Sequence, residues 1–516
     1  MEGGLPMKLS RSSLLYGTLL LTGVSLVSQT LGFVYRILLS RLVGAEYMGL
    51  YQLLMPVSAV LLSLTAIGLT VAVSNLSAEY AARGKAGALP AVLRRCLGIF
   101  LLLFVPIALV AALGSDWIST ALLGDARTQL GLLLLLPCVL LTGVENLHKH
   151  VFYGTGRIRP PAAVELCEQF LRTGAVLGLL VLLRPRGGER TVAVIVLGMV
   201  VCEIFSAVTL TVLFQRQRAG LPTAPPEKGL NRRIASIAVP IGLTALLGNL
   251  MGSANAVLIP KQLVASGVDV TQAMSAFGVL CGMTLPMLYM PTAFIGAMGL
   301  VLVPRLARSA ALGRLDRVRD RVHKAMQATS LLIMPSMALL VVLGPTLGRL
   351  LFRSEQAGDY ILPLSVGVLL SCYQSVLSGV LNGIGRQQAA AWNAILCGGV
   401  QLALTWFLMG LPGVGLGGYV AAFVLSSALG LLLNWRQVAR YTHMRPRLFQ
   451  WCTAPALAAL LSGLCINLLF HFLVDHGVGE VAAAGACALF GCVEYLAALS
   501  AQGTPVGDLL RPSLRN

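Results

Sequence analysis

Of 516 residues, 57% are hydrophobic and only 11% are charged, against about 25% charged in a soluble domain, which excludes one large soluble enzyme. The net charge of +18 invites a nucleic-acid reading. However, Lys and Arg sit in short loops between apolar runs long enough to cross a bilayer core of about 30 Å, so the charge is read as topology-setting and no nucleic acid is expected. The 11 Cys are scattered, most of them in apolar runs, with no CxxC or Cys/His cluster, so neither a disulfide framework nor a metal site is indicated. The fold class is an all-α polytopic membrane protein.

In chain order, MEGGLPMKLSRSS followed by an apolar run resembles a signal peptide, but no small-residue cleavage site follows and Arg36 and Arg41 come next. It is read as a retained first helix. About fourteen membrane helices are expected. Those of an N-terminal lobe, 1–215, fall near 14–38, 48–74, 93–114, 128–151, 161–183 and 191–214. A polar, proline-rich cytoplasmic linker, 216–232, follows. A C-terminal lobe, 233–435, holds helices near 233–257, 271–303, 327–351, 360–383, 388–410 and 414–435. Two additional helices, near 451–473 and 481–501, and a tail complete 436–516. Span 271–303 contains Pro286 and Pro291 and ends at Pro304. It is either one kinked helix or a helix plus a re-entrant piece. Placing the N-terminus in the cytoplasm puts most of the 38 Lys and Arg inside, so both termini are expected there. The 184–190 loop, RPRGGER, is an exception that nothing in the sequence explains.

An internal repeat supports the two lobes. GLTVAVSNLSAEYAARGKAGAL (68–89) resembles GLVLVPRLARSAALGRLDRV (299–318). Pro106 and Gly114 correspond to Pro335 and Gly344, and FYGTGRIRPPAA (152–163) parallels LNGIGRQQAAA (381–391). The spacing is nearly constant across the three landmarks. Six spans per copy is even, so two parallel six-helix lobes should flank a central cavity, related by a pseudo-two-fold axis along the membrane normal.

Polar groups inside the spans mark the candidate site. The stretch VENLHKHVFYGTGRIRPPAAVELCEQFLRTG (144–174) carries Glu145, Glu165, Glu168 and Arg172 between apolar segments. Such groups cost roughly 2.5–3.5 kcal/mol each at mid-bilayer and usually face protein or a watery cavity. A helix starting at Pro160 or Pro161 brings Glu165, Glu168, Gln169 and Arg172 onto one face. It also sets Glu168 and Arg172 at i,i+4 with the acid first, the better order for an ion pair. The stripe either lines a cavity or is a buried pair locking helix five to helix four. Glu145 and Asn146 line the same cavity or are solvated at the interface beside Lys149. Glu203, isolated in span six, is protonated or paired with Arg172. On the first helix Ser25, Gln29, Gly32 and Arg36 form a stripe, which is a cavity lining unless Arg36 snorkels to the headgroups. Lys261 is a further candidate cation. Asn249, Ser253 and Asn255 in span seven, and Gln374 and Asn382 in span ten, are of a type more often found as interhelical glue. His148 and His150 lack metal-ligand spacing and are read as loop residues. The basic, amphipathic 305–324 loop lies on the inner leaflet or simply sets topology. No catalytic motif or Walker A sequence occurs. No catalytic residue, cofactor or metal is therefore expected, and transport would draw on an ion gradient, the membrane potential or product consumption.

The first helix, VSQTLGFVYRILLSRLVGAEYMGLYQL, and the stretch ENLHKHVFYGTGRIRPPAAVELCEQFLRTGAVLGLL, set in two six-helix lobes plus two helices, resemble the multidrug/oligosaccharidyl-lipid/polysaccharide (MOP) exporter superfamily. Within it the resemblance is to the polysaccharide biosynthesis branch that includes the stage V sporulation protein B group, which is similar to the MurJ-type lipid II flippases. The resemblance implies an alternating-access flippase in the cell membrane. Its cargo would be an undecaprenyl-pyrophosphate-linked cell-wall precursor, lipid II or a related oligosaccharide lipid, moved from inner to outer leaflet. For such a cargo Arg36, Arg172 and Lys261 are the candidate phosphate contacts. Gln29, Glu145, Asn146, Glu165, Glu168, Asn249 and Asn255 are candidates for the sugar hydroxyls. The implied partners are the lipid-linked sugar, membrane lipid and a coupling ion, with the chain a monomer. One departure stands out: Gln29 and Tyr35 occupy places where MurJ-type flippases usually carry arginine. The alternative within the superfamily is a cation-coupled multidrug antiporter. Such members often carry a carboxylate in the first or seventh helix, and none occurs between Leu14 and Leu39 or between Ile234 and Ile259. A lipid-linked-sugar polymerase or ligase would need a large outer loop, and the outer loops are short.

Overall fold

The computed structural model describes residues 11–218 and 229–502. Most of the expected 216–232 linker, the first ten residues and the C-terminal tail lie outside them, as does the orientation of either terminus. Among the described residues every element is helical. Of these helices, 13 are long and apolar enough to cross a bilayer. The expected number was about fourteen, and the difference lies in the first helix. α1 (Arg11–Thr65) runs through Gly44, whose φ of 81° and ψ of 175° are not helical. Two spans therefore meet end to end there without a loop. Glycine alone takes that φ without strain.

After a break at Ala66, α2 (Ile67–Ala82) is followed by α3 (Leu89–Leu113), α4 (Gln129–Gly154), α5 (Arg159–Leu183), α6 (Gly188–Arg218) and α7 (Leu230–Ala265). The next span resolves in favour of the kinked helix. α8 (Val270–Gly278), a π-turn (Val279–Thr284), α9 (Leu285–Tyr289), a 3₁₀ turn (Met290–Thr292) and α10 (Ala293–Ala311) follow one another with helical backbone at each junction. Pro286 and Pro291 supply the physical cause: each lacks the N–H that a regular turn would use. Then come α11 (Leu315–Leu347), α12 (Ile361–Gly383), α13 (Gln387–Met409), α14 (Leu416–Thr442), α15 (Ala454–Asp475) and α16 (Glu480–Ala501). The basic 305–324 segment is thus no loop. α10 and α11 extend through it, leaving only three residues between them.

The chain forms two compact units, Met1–Tyr35 with Leu54–Leu250, and Arg36–Leu53 with Met251–Asn516. Each unit therefore takes a piece of α1 and a piece of α7, where the sequence pattern divides the chain at the linker.

The internal repeat reappears as repeated packing. In the first unit α4 packs on α2, α3 and α6, and α5 lies along α6. In the second unit α12 packs on α10, α11 and α14, and α13 lies along α14. Chain reversals recur too. Gly84 and Gly313, Gly124 and Arg353, Gly156 and Gly385, and Arg184 and Gly413 all have positive φ, each pair separated by the same interval. These are left-handed residues just past helix ends, which free the last carbonyls for capping bonds.

α15 and α16 dock on α11 through a cluster of Leu343, Ile466 and Cys487. Ser330 and Tyr373 also donate to the Trp451 carbonyl, at 2.5 and 3.0 Å. Within the second unit, buried Asn434 on α14 accepts from the Asn393 amide at 2.8 Å and donates to the Gln374 carbonyl at 3.1 Å. Asn434→Leu is expected to lower stability in thermal unfolding by about 0.6–1.7 kcal/mol, the measured range for interhelical hydrogen bonds in membranes.

Candidate functional site

α6 packs along both α4 and α5, and the three helices hold a cluster of charges between them. α5 starts as the sequence pattern requires, with Pro160 in its first turn, where the missing N–H has no helical partner anyway. The helical period then puts Glu165, Glu168, Gln169 and Arg172 on adjoining turns. Arg172 pairs with Glu168 on its own helix and reaches Glu203 on α6 at 3.3 Å. The second oxygen of Glu168 accepts from Ser206 on α6 at 3.0 Å. On α4, Glu145 pairs with Lys149 one turn away at 2.8 Å, and its carboxyl lies within hydrogen-bonding reach of Glu203. Glu165, half-buried, is close enough to act electrostatically on Lys149. Glu145, Glu168 and Glu203 are only 2, 5 and 4% exposed.

The cluster is therefore a three-helix junction. Glu203 joins the Arg172 pair on α5 to the Lys149 pair on α4. Of the expectations, the i,i+4 pair forms, and Glu203 takes Arg172 as a partner. The buried lock runs from α5 to α6; the expected lock from α5 to α4 is made only through Glu203. Lys149 entered the sequence reading only as an interfacial neighbour of Glu145, and Ser206 not at all. The i,i+4 spacing of Glu145 and Lys149 was a usable signal for the first of them. Cys202 completes the site: a Glu168 oxygen, its sulfur and a Glu203 oxygen lie within 4.8 Å of one another.

His148 and His150 are corrected by the structure. Both lie inside α4, and the cause is that the helix runs on to Gly154. His148 is buried, with Nδ1 2.8 Å from the Val144 carbonyl and the ring edge-on to Phe214. Neither histidine belongs to the Glu168, Cys202 and Glu203 group.

The remaining candidates are not brought to this junction. Asn146, half-buried, offers its carbonyl to His150. Asn249 donates to the Ala59 carbonyl at 3.3 Å, a helix-to-helix bond of the glue type. The first-helix stripe is divided between the units: exposed Gln29 belongs to the first, and Arg36 to the second. There Arg36 is half-buried and lies close enough to Cys281 to act on it electrostatically. Asn255 and Lys261 also belong to the second unit. The Asn255 side-chain oxygen is buried with no hydrogen-bond partner, and Lys261 is exposed. Arg41, which the sequence pattern did not flag, donates to the Leu350 carbonyl and, at 2.6 Å, to that of Leu351. It thereby caps carbonyls left open where the helix ends in a π-turn.

Chemically the two sets differ. The first-unit junction holds three buried carboxyls against two cations, which disfavours an anion. In the second unit Arg36 and Lys261 are cations and Asn255 carries a buried acceptor oxygen; no contact among the described residues joins the three.

Comparison with known proteins identifies the family and the fold. Residues 14–310 match the family model described as polysaccharide biosynthesis protein, and residues 284–484 match that of the lipid II flippase MurJ. The chain is 27% identical over 441 residues to stage V sporulation protein B of Bacillus subtilis (strain 168), covering 84% of this chain and 85% of that one. It is 22% identical over 505 residues to lipid II flippase MurJ of the same organism, covering 92% of each. Among solved structures, MurJ in an inward closed conformation superposes with a TM-score of 0.71 at 13% identity, covering 95% of this chain and 100% of that one. An inward-facing MATE family multidrug resistance transporter of the MOP superfamily superposes at 0.64 and 16% identity, covering 81% and 96%. At these identities the structural likenesses establish the fold.

Proposed function

Because the chain belongs to the polysaccharide biosynthesis protein family, within the MOP superfamily, we propose that it is an alternating-access flippase for a lipid-linked cell-wall precursor. The cargo is an undecaprenyl-pyrophosphate-linked oligosaccharide, lipid II or a related lipid, carried from the inner to the outer leaflet of the cell membrane by a monomer with both termini in the cytoplasm. The protein catalyses no covalent step. The observation that carries this reading is the near-full-length likeness to MurJ and stage V sporulation protein B combined with two units of repeated packing. Such repeats move a site from one side of the membrane to the other by rocking about the bilayer midplane.

In this reading the headgroup meets polar residues carried inside the spans. Arg36 and Lys261 take the pyrophosphate, since a guanidinium offers phosphate a planar fork of donors. Gln29, Asn249 and Asn255 take sugar hydroxyls. Arg172 is already engaged by two carboxylates, so its part is to hold the first unit together beside the glycan path.

The test is a reconstituted flip assay with lipid II and with a teichoic or capsular lipid. Movement of at least one is expected. Arg36→Ala is expected to slow it about ten- to a hundredfold, the loss of a charged hydrogen bond worth roughly 1.5–3 kcal/mol. A folded protein that moves neither lipid defeats the proposal. The second reading, a multidrug antiporter, is favoured by the buried carboxyls of α4–α6 and by the likeness to the MATE transporter. It requires drug resistance on overexpression that is lost in Glu168→Gln. The lack of an acid in the first and seventh helices counts against it.

A further inference from the structure

The charge junction of the first unit does not balance. Glu145, Glu168 and Glu203 face Lys149 and Arg172, leaving one surplus carboxylate where all three are at least nine-tenths buried. A lone buried anion is too costly to persist and gathers a positive partner. Two oxygens show where that partner belongs: Glu203 Oε2 and Glu145 Oε1 are buried and accept no hydrogen bond, although the second lies 2.8 Å from the Lys149 ammonium. The groups that act on Glu203 are Glu145 and Cys138 on α4, Glu168 and Arg172 on α5, and Cys202 on its own helix, while Lys149 lies against Glu145 and feels Glu165 and Glu168. Both cations among them are already taken, Lys149 by Glu145 and Arg172 by Glu168 and the other oxygen of Glu203. The Glu145 carboxyl stands within hydrogen-bonding reach. Two carboxyls that close satisfy each other only when one carries a proton.

Packing does not demand this arrangement. In the second unit the matching helices α12, α13 and α14 meet through two neutral side-chain amides, Asn393 and Asn434, and the Gln374 backbone carbonyl. The same three-helix contact thus closes without charge. The acids of the first unit are an addition to the fold.

We propose that Glu145 and Glu203 share one exchangeable proton, and that this junction is the proton site through which the first unit responds to the proton gradient. The second half of the proposal deepens the transport reading above and rests on it; the first half does not. Proton binding moves one positive charge onto the pair and leaves the Arg172 and Lys149 pairs in place. Release leaves the surplus carboxylate, which the junction accommodates by separating Glu145 from Glu203.

The test uses full-length protein in lipid nanodiscs and infrared difference spectroscopy across a pH titration. The wild type should show the carbonyl stretch of one protonated, buried carboxylic acid that disappears on alkalinisation. Glu203→Asn, which installs the residue that the second unit uses at its junction, should fold and lose the band. Glu79→Gln, in the partly exposed pair with Arg233, should retain it. Absence of the band in the wild type, or its survival in Glu203→Asn, overturns the proton site. In vesicles, an imposed pH gradient should change the wild-type flipping rate several-fold and leave the rate of Glu203→Asn unchanged. A rate in the wild type that ignores the gradient overturns the coupling. A protein that binds the proton but moves no lipid under any gradient leaves the site standing and defeats the flippase reading alone.

Discussion

Arg172→Ala is expected to destabilise the first unit by about 3–5 kcal/mol, the loss seen when one partner of a buried ion pair is removed. The size follows from what remains. Glu168 and Glu203 both lean on this guanidinium, and both are buried. Its removal takes from both carboxyls the one cation they share, in a site that water reaches poorly. Thermal unfolding of the purified protein in lipid nanodiscs measures the effect. Arg172→Lys should recover only part of it, because an ammonium is a point charge and does not span two carboxylates as a fork does. The double variant Arg172→Ala/Glu168→Gln should be more stable than Arg172→Ala alone, since it removes the carboxylate that the lost guanidinium had paired. The exchange of Glu168 with Arg172 should recover still more, because it restores the pair. An unfolding midpoint for Arg172→Ala equal to wild type would mean that the junction is hydrated and that the ion pairs contribute little.

The second large effect comes from a position with no charge at all. A side chain at Gly278 on α8 would place its Cβ 1.9 Å from the Ala45 carbonyl oxygen and 2.7 Å from the Gly49 nitrogen. Reciprocally, a Cβ at Gly49 would lie 2.2 Å from the Met274 carbonyl oxygen. Ala45 and Gly49 stand at the repeat interval from Met274 and Gly278, so equivalent residues of the two copies meet each other. All four belong to the second unit. The obstacles are backbone atoms, which cannot rotate away, so the helices must part. Gly278→Val should therefore exceed the usual 1–3 kcal/mol of overpacking and prevent recovery of monodisperse protein. Gly278→Ala should fold with reduced stability. Gly248→Ala, on α7 with nothing within 4 Å, is the control. It should be neutral or slightly stabilising, as alanine is favoured over glycine in a helix by roughly 0.5–1 kcal/mol. Size-exclusion profiles and melting curves of the three variants decide the matter. A normally folded Gly278→Val would mean that the helices do not approach this closely.

Several features of the molecule were legible in the linear chain because they depend on local chemistry. The membrane spans follow from the length of apolar runs, since a bilayer admits only backbone that satisfies itself. The repeat showed through matching Gly, Pro and Arg landmarks, because reversals need residues that tolerate left-handed backbone. The Glu168–Arg172 pair followed from helical spacing alone. What could not be read depends on which faces meet. His148 and His150 looked like loop residues because α4 runs one turn further than its apolar stretch. The 305–324 segment looked like a loop because charge was taken as a boundary, while α10 and α11 carry their arginines beyond the membrane thickness.

The junction itself is the clearest case. Each of its acids was visible in the sequence, and Glu203 stood alone in an apolar helix with no local partner. That it meets Glu145 from one neighbour and Arg172 from another is settled by the packing of α4, α5 and α6, over separations that no local pattern spans. The order of residues determined a repeated helical membrane protein and the charges it buries. The tertiary structure decided which charges face each other, and therefore that three acids share two bases. Electrostatic energy depends on distance through space, and only the packed helices set that distance.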